Sequence, residues 1–254
     1  MLKTPNIFQS VKTSPLFQEL QKSLERKEIT ILSGLFTSSV SVYASVAYVE
    51  SDQSMLFILP DKETAAYVYN DLENLLNDSG LSSDKKNVLF FPASYKRPYE
   101  VDHVDNANVL TRAEVFLRLV NTSKRYILVS FPKALSEKVS DKKQLKSSTF
   151  HFKVGNEYII DKLIEQLIKV KFKRVDFVVE PGDFALRGGI LDLFAYSNEY
   201  PYRLEFFGDE LESIREFDPE SQLSRRKLSQ VKLMPNVLDH ELIESRISLF
   251  ELLP

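Results

Sequence analysis

Residues 172–218 read FKRVDFVVEPGDFALRGGILDLFAYSNEYPYRLEFFGDELESIREFD, and this stretch decides the fold of the second half of the chain. Residues 175–180 have the composition of a strand, and Pro181-Gly182-Asp183 of a turn. Strand-like runs follow at 189–194, 202–207 and 211–217, and Gly208-Asp209 is a natural tight-turn site between the last two. Strand geometry alternates side chains between faces, so Arg203, Glu205 and Phe207 share one face while Tyr202, Leu204 and Phe206 share the other. The second set can fill a core. The first places an arginine beside an aromatic, residue types enriched at interface hot spots. Gly188-Gly189 lets the backbone turn sharply, so that Arg187 projects from the sheet rim. Spacing alone favours a plainer reading, an ordinary solvated strand face with Phe207 in the core.

Upstream of this stretch, residues 157–169 form an amphipathic helix, with Ile160, Leu163, Ile164, Leu167 and Ile168 on one side. One helix on a small, mostly antiparallel sheet is an α+β domain. Earlier still the pattern changes. Strand-like runs at 29–32, 55–59, 88–91 and 126–129 are apolar throughout. Helical stretches at 15–27, 39–50, 62–77 and 107–120 lie before and between them. Such strands separated by amphipathic helices predict a parallel sheet covered on both faces. In the 15–27 helix Leu16, Leu20 and Leu24 recur at the helical period. Between the two patterns, residues 133–148 are rich in lysine and serine and read as a solvated helix and linker at a domain boundary. Acidic residues interleave with its lysines, and no aromatics are present to stack on bases. The organisation expected is an α/β domain over 1–143, an α+β domain over 144–235, and a return segment into the first domain over 236–254.

After its first strand a nucleotide-binding α/β domain carries GxxxxGK[ST]. Here Gly34-Leu35-Phe36-Thr37-Ser38-Ser39-Val40-Ser41 stands in that place. Gly34 and Ser41 match, but Ser39 replaces the second glycine and Val40 the lysine. An aliphatic side chain cannot neutralise β/γ-phosphate charge, and a serine β-carbon obstructs close backbone approach. Val129-Ser130-Phe131-Pro132 occupies the place of a Walker B strand end without its carboxylate. The first domain therefore reads as RecA-like, a P-loop NTPase-like fold with a degenerate phosphate loop. No catalytic residue is assigned, and no cofactor is expected in these residues.

Bulk properties narrow the alternatives. A formal charge of -3 over 254 residues lacks the basic excess of a dedicated nucleic-acid binder. With no cysteine, disulfides, thiolate zinc sites and cysteine nucleophiles are excluded. His103, His151 and His240 show no metal-ligand spacing, and no metal is expected. The start lacks the apolar core of a secretory signal and no apolar run is long enough to span a bilayer, so no membrane contact and a cytoplasmic location are expected. The end, Leu252-Leu253-Pro254, falls inside a helical pattern and reads as a piece of something longer.

The run Pro181 to Phe194, PGDFALRGGILDLF, followed by Pro201 to Glu210, PYRLEFFGDE, and Ser213-Ile214-Arg215, resembles the second domain shared by the excision-repair protein UvrB and the bacterial transcription-repair coupling factors. Weaker similarity is collinear over nearly the whole chain. Two features favour the coupling factors: the degenerate loop, and residues 95–101, too short for the aromatic hairpin with which UvrB grips DNA. Ala195 departs from the family pattern, which often has proline there. The resemblance implies a docking surface for the damage-sensing ATPase UvrA, with Arg187, Arg203 and Phe207 at the family's contact positions. It reverses the order in which spacing alone ranks the readings of that face. Glu205 and Arg215 are possible supports, orienting an arginine through an ion pair. It also implies an ATP-driven DNA translocase in the full-length family member, with ATP and Mg bound in motor domains elsewhere, and contacts to RNA polymerase and DNA through domains further along. The alternative is a UvrB-type helicase or ATPase fragment that binds nucleotide and DNA. A weaker one is non-specific DNA binding by residues 133–146.

Overall fold

The computed structural model describes residues 6–79, 81, 85–94, 106–121, 124–196, 198–235 and 246–253. The short stretch 95–101, His103, His240 and most of the expected return segment lie outside these residues. The first elements in chain order are α1 (Asn6–Lys12), α2 (Pro15–Arg26), α3 (Ser39–Glu50), β1 (Met55–Ile58), α4 (Lys62–Leu75), β2 (Val88–Phe90), α5 (Asn106–Asn121), β3 (Ile127–Ser130) and α6 (Pro132–Leu135). There follow β4 (Val139–Ser140), α7 (Lys142–Ser147), β5 (Phe150–Lys153), α8 (Ile160–Lys169), β6 (Lys173–Arg174), β7 (Asp183–Arg187) and β8 (Ile190–Leu193). The series closes with β9 (Tyr202–Phe207), β10 (Glu210–Phe217), β11 (Ser224–Leu228), β12 (Gln230–Leu233), β13 (Arg246–Ile247) and α9 (Leu249–Leu252). The fold is α/β, with one parallel sheet and several antiparallel pairings. The chain forms two compact units, residues 1–92 with 123–135, and 93–122 with 136–254.

The first unit holds the parallel sheet, in the order β1-β3-β2. Its central strand β3 is buried along its whole length, as a parallel strand covered on both faces must be. Asp61 caps α4 by accepting the Thr64 N–H at 2.8 Å, which pulls its carboxyl below the ordinary value. From there α4 buries Ala65, Val68 and Leu72. Fully buried Asp78 accepts the backbone N–H groups of Asn87 and Val88 and so anchors the start of β2.

One expectation fails in this unit. Residues 29–32 form no strand, and Ile29 is wholly exposed. β-Branched residues favour a strand only where a neighbour offers a half-buried surface, and the sheet starts instead at Met55. In α2 the leucine stripe is not the buried face: Phe17 is buried, while Leu16 and Leu24 are exposed.

The second unit is built on a six-stranded sheet, order β11-β10-β9-β8-β7-β6, antiparallel except for the short parallel pair β6–β7. On one face Leu163 and Leu167 of α8 join Phe184, Leu191, Leu193, Tyr202, Leu204, Phe206 and Ile214 in a single core. Each such side chain contributes roughly 1.5–3 kcal/mol by leaving water. Ile168 is turned outward, unlike its neighbours in the predicted stripe. The stretch 175–180 is not a strand. It carries Val178 into a second, smaller cluster with Ala185, Phe194 and Phe217. The expected turn is present at Pro181-Gly182, and a strand not expected from the sequence, β7, begins directly at Asp183. The lysine-rich stretch is more ordered than a linker, since Asp141 caps α7 and Leu145 is buried beneath it, while Lys142, Lys143 and Lys146 stay exposed.

Candidate partner-docking site

The register of the six-stranded sheet assembles the site. β8 lies between β7 and β9, pairing Asp192 with Ala185 on one side and Arg203 on the other. Ile190 pairs with Arg187 and Glu205. Paired residues point to the same face, so Arg187, Asp192, Arg203, Glu205 and Phe207 all lie on the face opposite α8. The burial of β9 alternates accordingly: Tyr202, Leu204 and Phe206 are buried, while Arg203 and Glu205 are half-buried. Phe207 is 77% exposed, beside the hairpin turn where Gly208 takes φ 60°.

At the centre is Asp192, whose side chain is only 1% exposed. Arg203 grips its carboxylate with two bonds, Nε to Oδ1 at 2.7 Å and Nη2 to Oδ2 at 2.9 Å. Arg187 Nη2 donates to the same Oδ2 at 2.5 Å. Both guanidiniums also lie over rings, Arg203 over Phe217 at 4.5 Å and Arg187 over Phe177 at 5.0 Å. Planar guanidinium forks suit this combination of carboxylate and aromatic face. The hydrogen bond to Asp192 holds the Arg203 guanidinium above its ordinary value, against the opposing effect of burial. Gln222 accepts a further bond from Arg203 Nη2 at 3.2 Å.

Glu205 and Arg215 do not orient either arginine directly. They pair with each other at 3.0 Å, and Ser213 Oγ donates to the same Glu205 oxygen. The acid that bonds both arginines is Asp192, which sequence reasoning missed. Its signal was available: one carboxylate inside the apolar run Ile190 to Phe194. At the rim, Arg187 ends β7 and Gly188 takes φ 58°. A β-carbon on Gly189 would stand 2.6 Å from the Phe206 carbonyl oxygen, so only glycine lets this turn sit against β9. Phe206 N–H donates to Gly189 O at 2.7 Å, tying the turn to the strand that bears Phe207.

The phosphate-loop residues form a different arrangement. Gly34 takes φ 78° in an exposed loop that no strand precedes among the described residues. Ser39 opens α3, and its Oγ accepts the Phe36 N–H at 2.8 Å and donates to the Phe36 carbonyl at 2.7 Å. Val40 follows without charge, and Ser41 is fully buried. Among the described residues no group of His, Cys, Asp and Glu could hold a metal ion, and no helix is long and apolar enough to cross a membrane.

Residues 150–238, which contain the whole arginine face, match the family model of the UvrB interaction domain. The chain is 30% identical over 231 residues to the transcription-repair-coupling factor of Bacillus subtilis, an alignment covering 91% of this chain and 19% of that protein. It is 33% identical over 181 residues to that of Myxococcus xanthus, covering 71% and 15%. For the Escherichia coli protein the figures are 28% over 181 residues, again 71% and 15%. The chain thus spans less than a fifth of the length of each of these relatives.

Proposed function

Because the chain is related along most of its length to transcription-repair-coupling factors and carries a UvrB interaction domain over residues 150–238, we propose that it is a docking module for the excision-repair protein UvrA. Arg187, Arg203 and Phe207 make the contact, and the Glu205–Arg215 pair supports the rim of the surface. The observation that carries this reading is the pair of arginines held by one buried carboxylate on the same sheet face as an exposed phenylalanine. Interfaces concentrate their energy in such arginine and aromatic anchors. The module recruits the repair machinery to a stalled RNA polymerase, in the cytoplasm.

The domain reading is the one drawn from the sequence: a RecA-like domain over 1–143, the UvrA-binding domain over 144–235, and a return segment from 236. The RecA-like ancestry is supported by a parallel sheet with helices between its strands, and the loss of hydrolysis by Val40 in place of the phosphate-binding lysine. On this reading the chain itself needs no nucleotide, metal or other cofactor. ATP-driven translocation on DNA and the contact with RNA polymerase belong to other parts of a longer protein. Calorimetric titration of UvrA into the chain tests the proposal. Saturable binding that Arg203→Ala abolishes supports it, and absence of binding by the folded wild type overturns it.

A further inference from the structure

We infer that Asp192 is the positioning residue of this surface, the one group that bonds both arginines and so sets their spacing before a partner arrives. The inference rests on the docking reading above. Arg187 and Arg203 come from different strands, the end of β7 and the start of β9, with β8 between them. Two guanidiniums brought to one sheet face repel, and Arg215 is registered directly opposite Arg203 on β10, adding a third positive charge. Arg215 is neutralised by Glu205. The other two share Asp192, whose carboxylate accepts three guanidinium bonds.

The geometry makes this an orienting device rather than a surface ion pair. Asp192 is buried, so solvent screens it little. Arg203 presents its Nε and Nη2 edge inward, bidentate, which fixes the plane of the guanidinium. Arg187 bonds Oδ2 from the other neighbouring strand through Nη2 while its Nη1 donates to the Asp176 carbonyl at 3.3 Å, and its side chain stays 42% exposed. The rings of Phe217 and Phe177 back the two planes. One negative and two positive charges leave a net positive patch whose remaining donors are held in fixed directions. Such preorganisation removes the ordering cost that two long side chains would otherwise carry into binding.

The test is a set of double-mutant cycles with purified UvrA. Asp192→Asn keeps the volume of the side chain but removes its charge and one acceptor oxygen. It is expected to weaken UvrA binding on the order of tenfold, within the range for residues in one hydrogen-bonded network. In an Arg203→Ala background that added cost shrinks, because the residue through which Asp192 acts is gone. In a Phe207→Ala background it stays whole. An added cost of equal size in both backgrounds, or undiminished binding by Asp192→Asn alone, overturns the inference. Should Asp192→Asn fail to fold, the wild type decides by NMR. The Arg203 Nε–H is expected to exchange with solvent far more slowly than that of exposed Arg225, and equal exchange overturns the pairing. Absence of UvrA binding by the wild type sinks the docking reading, and the exchange measurement still decides whether Asp192 holds the pair.

Discussion

In the turn at residues 34–41 the polar groups are spent on the turn itself, whereas on β7, β8 and β9 they are held in place and still directed outward. Ser39 takes up both the N–H and the carbonyl of Phe36, and Thr37 Oγ1 donates to that same carbonyl. The turn has no cation, and it has already used a donor that a phosphate would need. On the arginine face the bookkeeping runs the other way. One buried carboxylate fixes two cations, which remain charged and reachable. On the docking reading proposed above, a contact surface differs from a merely polar one in this respect. Its groups are constrained by something behind them and still partly exposed in front.

The largest effect expected on this comparison comes from beneath the face. Leu204 is fully buried between Arg203 and Glu205, so Leu204→Ala should cost roughly 2–5 kcal/mol of stability, read from denaturant unfolding. Its neighbour Arg203→Ala should leave the core intact and act on binding. A variant of Arg203 that unfolds the domain as Leu204→Ala does would erase the distinction between the two sides of β9.

Binding comes next. Phe207→Ala should weaken UvrA affinity by about 2 kcal/mol, roughly 30-fold, while the melting temperature stays put, because the ring covers no core. Arg187→Ala should follow in the same direction. Calorimetry alongside thermal melts separates the two readouts, and a melting point lowered in step with affinity would place Phe207 in the core.

A smaller effect concerns the turn behind Arg203. Asp218 accepts N–H groups from Ser221 and Glu220, and the Ser221 bond foremost holds its carboxyl below the ordinary value. Because the folded value is depressed, this carboxylate's contribution is complete above about pH 4 and fades as pH falls through the lower folded value. The difference in melting temperature between wild type and Asp218→Asn should therefore be present at neutral pH and narrow below pH 4. A gap that widens on acidification would reverse the sign and remove Asp218 as a turn anchor.

Much of this architecture was legible in advance because its determinants are local. The helix that begins at Lys62 follows from its amphipathic pattern, the strands at 55, 88 and 127 follow from short apolar runs, and the β9–β10 hairpin follows from Gly208-Asp209 between alternating runs. The common face of Arg203, Glu205 and Phe207 needed only a period of two. Arg187 joined the candidate set through the family resemblance. What escaped reading depends on partners distant in sequence. Residues 29–32 have strand composition and no strand beside them, and residues 175–180 spend Val178 on a second apolar cluster instead of a ladder. Asp192 stands out locally as a carboxylate inside an apolar run, but its arginine partners follow only from the register that lays β8 between β7 and β9.

The smallest effect expected is none, and it bears on the other side of the comparison. Titrating ATP with Mg into the chain should give no saturable binding at millimolar nucleotide. Val40 offers no charge to the phosphates, and the Phe36 N–H is already bonded to Ser39. Val40→Lys sharpens the point, since it restores the missing cation without freeing that donor or supplying a strand ahead of Gly34. If charge were the sole deficiency, the lysine variant would bind nucleotide measurably; if the turn itself is spent, it will stay as inert as the wild type. Saturable binding by the wild type would overturn both explanations and return the chain to the nucleotide-binding enzymes, with residues 34–41 as its working site.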